Sequence, residues 1–226
     1  MFRLLIALAI ALALTGGARA DYMSALQALQ AGDYDAAVAA FRPLAEAGNP
    51  AAQFNLGRMY ERGDGVARDA GAARGWYEKA AAQDLVEAQM ALGDLLGRGE
   101  GLPRDPVMAA SWYRRAAAKG NAVAMNHLGI MASRGDGRPK SEAEALMWFI
   151  AAAERGLAEA QFNLGVAYAR AEGAPGDLVK AYGWFRLAAD RGDEDALQAI
   201  QAIAPAMQPE EIDAAEAFVR DWVAAP

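Results

Sequence analysis

The stretch from Ala52 to Asp84 recurs three more times at a constant spacing of 36 residues, and nothing else in the chain constrains its fold as much. Leu56-Gly57 returns as Leu92-Gly93, Leu128-Gly129 and Leu164-Gly165. Trp76 returns as Trp112, Trp148 and Trp184, and Ala80-Ala81 as Ala116-Ala117, Ala152-Ala153 and Ala188-Ala189. Four copies with no insertion or deletion mark a solenoid, in which each unit buries its apolar face against the next.

Each copy encodes two helices and a loop. Leu56, Met59 and Tyr60 stand at helical spacing, with Gly57 where a neighbouring backbone must come close. Arg62-Gly63, Arg98-Gly99 and Arg134-Gly135 read as helix C-termini, a cation on the negative dipole end followed by a residue free to take positive φ. Asp69, Asp105, Ser141 and Asp177 stand where the second helix needs an N-cap. That helix runs through Trp76-Tyr77 and Ala80-Ala81 towards a column of Gly120, Gly156 and Gly192, which Asp84 breaks. Strand-like alternation is absent, so the pattern supports only an all-α fold.

These residues resemble the Sel-one-like repeat, a subgroup of the tetratricopeptide-like helical repeats. That pattern has alanine, Leu-Gly and Tyr in helix A, a G-x-G loop, an acidic cap, then Trp-Tyr and Ala-Ala in helix B. Ala52, Leu56-Gly57, Tyr60, Gly63, Gly65, Asp69, Trp76-Tyr77 and Ala80-Ala81 match it; Leu96 and Ala132 depart from the Tyr, and Ala171 from the first loop Gly. The resemblance implies a right-handed, curved α-solenoid of about 12 helices. Four repeats then occupy residues 50–193, between a divergent N-terminal repeat at 21–49 and capping helices at 194–226.

In the N-terminal unit, helix A is expected near Tyr22–Ala31, and Asp33 or Asp35 caps helix B. Phe41 and Ala45 keep the register of Tyr77 and Ala81, and Pro43 is expected to kink helix B or delay its start. At the other end Pro205 and Pro209 close one helix and begin the last. Its stripe of Ile212, Ala215, Phe218, Val219 and Trp222 is expected to cover the final apolar face.

Residues 1–20 combine Arg3, an apolar run from Leu4 to Leu14 and Ala18-Arg19-Ala20. They read as a secretory signal cleaved before Asp21, giving a periplasmic or secreted protein. The rival reading is an uncleaved anchor. Eleven apolar residues form a helix of only about 16 Å against a hydrocarbon core of about 30 Å, which favours cleavage. Removal takes away Arg3 and Arg19 and no acid, so the net charge goes from −7 to −9. Such a surface repels nucleic acid and anionic lipid, and neither is an expected partner. The chain has no cysteine, which excludes a disulfide framework, a thiolate metal site and a lipid-modified cysteine.

Chemistry-bearing constellations are scarce. His127 is the single histidine, and Ser24, Ser111, Ser133 and Ser141 lie in neither S-x-x-K nor G-x-S-x-G. The G-D-G and G-E-G loops lack the strand and Gly-Lys-Ser ending of a phosphate cradle, and the several oxygens of a calcium site. They read as turns, and no catalysis, cofactor or metal is expected. The Trp76, Trp112, Trp148 and Trp184 column reads as inter-repeat core, the rival being a carbohydrate platform. The column of Arg62, Arg98, Arg134 and Arg170 reads as helix C-capping, the rival being a ladder for acidic peptide termini.

By the same resemblance, helix A lines the concave surface and its variable outward positions touch ligand. They hold Phe54, Asn55 and Arg58; Met90 and Asp94; Asn126, His127 and Ile130; and Phe162, Asn163 and Val166. The implied function is an exported adaptor that binds a peptide or helix of another protein there and regulates cell-envelope or exopolysaccharide signalling. Two other classes stand beside it. One is a secreted hydrolase of the cysteine-rich, β-lactamase-like kind, disfavoured by the missing cysteines and serine motif. The other is a carbohydrate-binding element of polysaccharide export, which needs exposed aromatics.

Overall fold

Twelve α-helices account for almost all of the described residues, which in this computed structural model are 16–170 and 177–224. Most of the expected signal segment, and Ala171, lie outside them. In chain order the helices are α1 (Gly16–Ala31), α2 (Tyr34–Glu46), α3 (Pro50–Arg62), α4 (Ala70–Ala82), α5 (Val86–Arg98) and α6 (Pro106–Ala118). They continue as α7 (Ala122–Arg134), α8 (Glu142–Ala153), α9 (Ala158–Arg170), α10 (Leu178–Ala189), α11 (Glu194–Ile203) and α12 (Pro209–Ala224). A 3₁₀ turn, Ala204–Ala206, separates the last two. The architecture is that of a helical-repeat solenoid, a succession of helix–loop–helix units with no strand among the described residues.

The helix boundaries follow the capping chemistry. Asp69, Asp105 and Asp177 accept from the backbone N–H groups of Ala72, Met108 and Lys180 at 2.9 Å, and Ser141 from Glu144 at 3.2 Å. The first helices of the repeats end at Gly63, Gly99 and Gly135, with φ of +82°, +73° and +75°. Asp84 takes φ +63°, so it keeps the backbone of the column whose glycines it interrupts. Aspartate is one of the few non-glycine residues that visits this region readily.

Two expectations at the N-terminal end need correction. α1 begins at Gly16 rather than near Tyr22, so it runs through the expected cleavage point. Pro43 does not delay α2, because Asp33 accepts from the Ala36 N–H at 3.1 Å and starts the helix at Tyr34. The proline falls in the last turn instead, close to where the helix ends.

The chain divides into two compact units, Met1–Ala116 and Ala117–Pro226. A uniform period predicts one continuous stack, yet the division falls inside α6 and follows no repeat boundary. Within the first unit α1 to α5 pack in sequence, each against the next; within the second, α7 to α11 do the same and α12 returns against α10.

One packing device recurs in both units. The glycine of each Leu-Gly pair receives the aromatic ring that follows the column tryptophan. A Cβ at Gly57 would lie 2.7 Å from Tyr77 Cδ1, and at Gly129 or Gly165 it would lie 2.5 Å from Cδ1 of Phe149 or Phe185. Gly93 meets Tyr113 in the same way. At Gly57 the Ala73 carbonyl oxygen also comes close, 3.3 Å from such a Cβ, so the ring and the expected backbone share the approach. The rings are buried to match, with Tyr77 at 0% exposure.

Burial thus centres one residue beyond the tryptophans. Trp76, Trp112 and Trp148 are half-buried, and Trp76 and Trp112 pack against the apolar clusters of the first unit, in line with the expected inter-repeat core. Trp184 alone is buried, because α12 brings Phe218 and Trp222 edge-on to it at 5.3 and 4.6 Å. Gly183 accommodates the Phe218 ring, so α12 covers the terminal face as its apolar stripe predicts.

Candidate partner-binding face

The positions expected to face a partner lie on α3 and α5 in the first unit and on α7 and α9 in the second. In the first unit they are occupied by the protein itself. Asn55 is buried, donating from Nδ2 to the Tyr22 hydroxyl and to the Ala51 carbonyl, each at 3.0 Å. Half-buried Phe54 leans on the Tyr77 ring with centroids 5.7 Å apart, and the Arg58 guanidinium lies over Phe54. Met90 is half-buried.

Asp94 accepts from the Tyr113 hydroxyl at 2.7 Å. One repeat earlier Glu61 accepts from the Tyr77 hydroxyl at 2.6 Å and from Arg98 at 2.8 Å. Burial, reinforced by these carboxylates, pushes both tyrosine hydroxyls well above the ordinary tyrosine range, so they stay protonated donors. The first unit's face thus carries a polar network, and the cavity of about 890 Å³ in this unit lies beside its loops, lined by Tyr60, Arg68, Asp69 and Glu100.

The second unit replaces each part of that network. Its rings in the Tyr77 column are Phe149 and Phe185, which carry no hydroxyl. Ile130 and Val166 stand where the first unit has Arg58 and Asp94, and Ser133 and Ala169 continue the column of Glu61. A cleft of about 750 Å³ opens on this face. Its apolar wall is formed by Ile130, Leu146, Phe149 and Val166, and Asn163 supplies an amide. Arg134 and Arg170, at the ends of α7 and α9, also line it, as do Lys140, Glu142, Glu159 and Asp177.

The structure therefore brings Ile130, Asn163 and Val166 together in one cleft and leaves other expected residues outside it. Asn126 is fully buried, with Oδ1 accepting from Asn163 Nδ2 at 2.9 Å and its own Nδ2 unpartnered. The reading of Asn55 and Asn126 as outward groups is corrected by their burial. Phe162 is half-buried with its ring 5.5 Å from Phe185, so it belongs to the packing rather than to an open face. His127 is half-buried. Arg134 and Arg170 read from the sequence as helix-end cations, with a ladder for acidic peptide termini as the rival. The missed signal was the change from Tyr77 and Tyr113 to Phe149 and Phe185 in one column together with Ile130 and Val166 in the column of Asp94, visible in the same 36-residue register.

The rival tryptophan platform has less to offer. In the first unit Lys79 Nζ sits 3.9 Å from the Trp76 ring centroid and Arg115 Cζ 4.8 Å from that of Trp112. These cations cover the ring faces on which a sugar would stack.

Comparison with known proteins agrees with this architecture. The Sel1 repeat model matches residues 50–85, 86–121, 122–157 and 158–193. A Sel1 repeat protein from Oxalobacter formigenes is 32% identical with a TM-score of 0.72, over 80% of this chain and 75% of that one. A protective antigen of uropathogenic Escherichia coli strains displaying an SLR fold is 34% identical with a TM-score of 0.68, over 74% of this chain. The match spans only 36% of the antigen's own length. A Sel1 repeat protein from Klebsiella pneumoniae shares the fold at 22% identity and a TM-score of 0.52, over 84% of this chain and 94% of that one. No curated protein matches.

Proposed function

The chain belongs to the Sel1 repeat family, whose members are generally non-enzymatic protein-interaction scaffolds, and from that premise we propose that it is an exported adaptor. It binds a peptide or helical segment of a partner protein in the cleft of its second unit and catalyses nothing. The observation that carries this is the contrast between columns. Where the first unit ties its face up in Tyr–carboxylate hydrogen bonds, the second leaves half-buried Ile130 and Val166 on an open cleft floored by the buried Phe149 ring. Concave apolar surface with a few polar groups at its edge is what an inserted side chain needs. The resemblance adds regulation of cell-envelope or exopolysaccharide signalling through a periplasmic partner.

A random-peptide display library panned on the full chain tests the site. Binders are expected to be lost with Val166→Glu, which puts a charge on the cleft wall, and retained with Met90→Glu in the first unit. Binders indifferent to Val166→Glu would place the site elsewhere. Export is tested separately, by N-terminal sequencing of the protein recovered from the periplasm or medium, which is expected to begin at Asp21.

A further inference from the structure

Among the described residues, the two arginines of the cleft meet no carboxylate. Arg98, in the same column, meets Glu61 at 2.8 Å, a residue 37 positions earlier in the chain. The equivalent residue for Arg170 is Ser133, whose hydroxyl donates to the Ile130 carbonyl at 2.9 Å. Among the described residues neither Arg134 nor Arg170 forms an ion pair. The described acids that line the cleft are engaged or stand at its other end. Glu142 pairs with Lys140 at 3.0 Å. Asp177 caps α10 and pairs with Lys180 at 3.0 Å. Glu159 lies in the first turn of α9, where the positive helix end suits it. It is eleven residues before Arg170, so about 16 Å away along the helix axis. The negative C-terminal ends of α7 and α9 give the two guanidinium groups partial compensation and no bidentate acceptor.

We propose that the cleft takes a protein segment in which an apolar side chain stands beside an aspartate or glutamate. The apolar group packs on Ile130, Phe149 and Val166, and the carboxylate meets Arg134 and Arg170. Glu159 at the opposite end gives the segment a direction. A basic residue about five positions from the acidic one reaches it, since an extended chain advances about 3.3 Å per residue.

This inference rests on the second-unit cleft being the binding site, and the test separates the two. A displayed dodecapeptide library is panned on the full chain, and selected peptides are measured by fluorescence anisotropy. Variants are Arg134→Gln with Arg170→Gln, Val166→Glu, and Ser133→Glu, which returns the first unit's carboxylate to Arg170. Folding is checked by thermal melting, and Ser133→Glu, a substitution near the surface, keeps the test open if Val166→Glu fails to fold. Selected peptides are expected to carry Asp or Glu beside Leu, Ile, Phe or Met. The double arginine variant and the Asn/Gln isosteres of the peptides should each bind at least about tenfold more weakly, the usual loss for charge-assisted hydrogen bonds. Peptides without acidic residues, indifferent to the arginine and Ser133 variants but lost with Val166→Glu, would overturn the inference and leave the cleft as the site. Peptides indifferent to every variant would overturn both. Binding of polygalacturonate with no peptide selected would overturn both in favour of an anionic glycan.

Discussion

The first and second units share a scaffold and differ in what they lay over it. In both, a glycine of the first helix receives a ring from the second, through Gly57 and Tyr77 in one and Gly129 and Phe149 in the other. The ring is a tyrosine in the first unit, and its hydroxyl needs an acceptor once buried. Glu61 and Asp94 supply it, and Glu61 also holds Arg98. The ring is a phenylalanine in the second, and no acceptor follows: Ser133 replaces the glutamate and Ile130 and Val166 replace the charged positions. Two hydroxyls thus decide whether a repeat seals its face or leaves it open. The comparison teaches that in a repeat protein the place to look for binding is where a repeated polar satisfaction lapses.

The shared device is the part whose loss costs most. Phe149→Ala is expected to destabilise by about 3–5 kcal/mol, the usual cost of deleting a buried aromatic. Tyr77→Ala should cost a similar amount, plus the stranded Glu61. Urea unfolding measures both, and a near-neutral result for either would show that the ring seat does not carry the packing of that unit.

The polar seal comes next. Tyr77→Phe keeps the ring and removes the hydroxyl, and is expected to cost about 1–2 kcal/mol, in the range for a hydrogen bond to a charged group. Glu61 retains Arg98 and some solvent, which holds the figure down. A neutral Tyr77→Phe would mean that the seal contributes nothing and the contrast with the second unit is one of composition only.

The smallest effect is the most specific. Ser133→Glu combined with Phe149→Tyr rebuilds the Tyr77–Glu61 pair in the second unit. A double-mutant cycle on melting stability should return a favourable coupling of about 1 kcal/mol. Zero coupling would show that the column correspondence read from the 36-residue register does not extend to side-chain geometry.

Much of this was legible in the amino-acid sequence. The period placed every second-helix N-cap in the four repeats correctly, because Asp69, Asp105, Ser141 and Asp177 answer the same local demand at the same register. The binding face was less legible. Variable positions were read as outward ones, but Asn126 varies inside a column whose other members, Phe54, Met90 and Phe162, pack half-buried. A polar residue among such neighbours signals a buried amide as readily as an exposed one. Arg134 and Arg170 were visible as helix ends, while whether a described carboxylate meets them depends on a residue 37 positions away and so on three-dimensional packing.

The central claim is that the cleft of the second unit, and not the helix face of the first, is where a partner binds. Methyl NMR of the full chain titrated with a selected peptide tests it most directly, because Ile130, Leu146 and Val166 put reporters inside the cleft. The account predicts shifts at these methyls, with Leu56, Leu92 and Leu95 of the first unit unmoved. Shifts concentrated on the first unit, with Ile130 and Val166 silent, would contradict it.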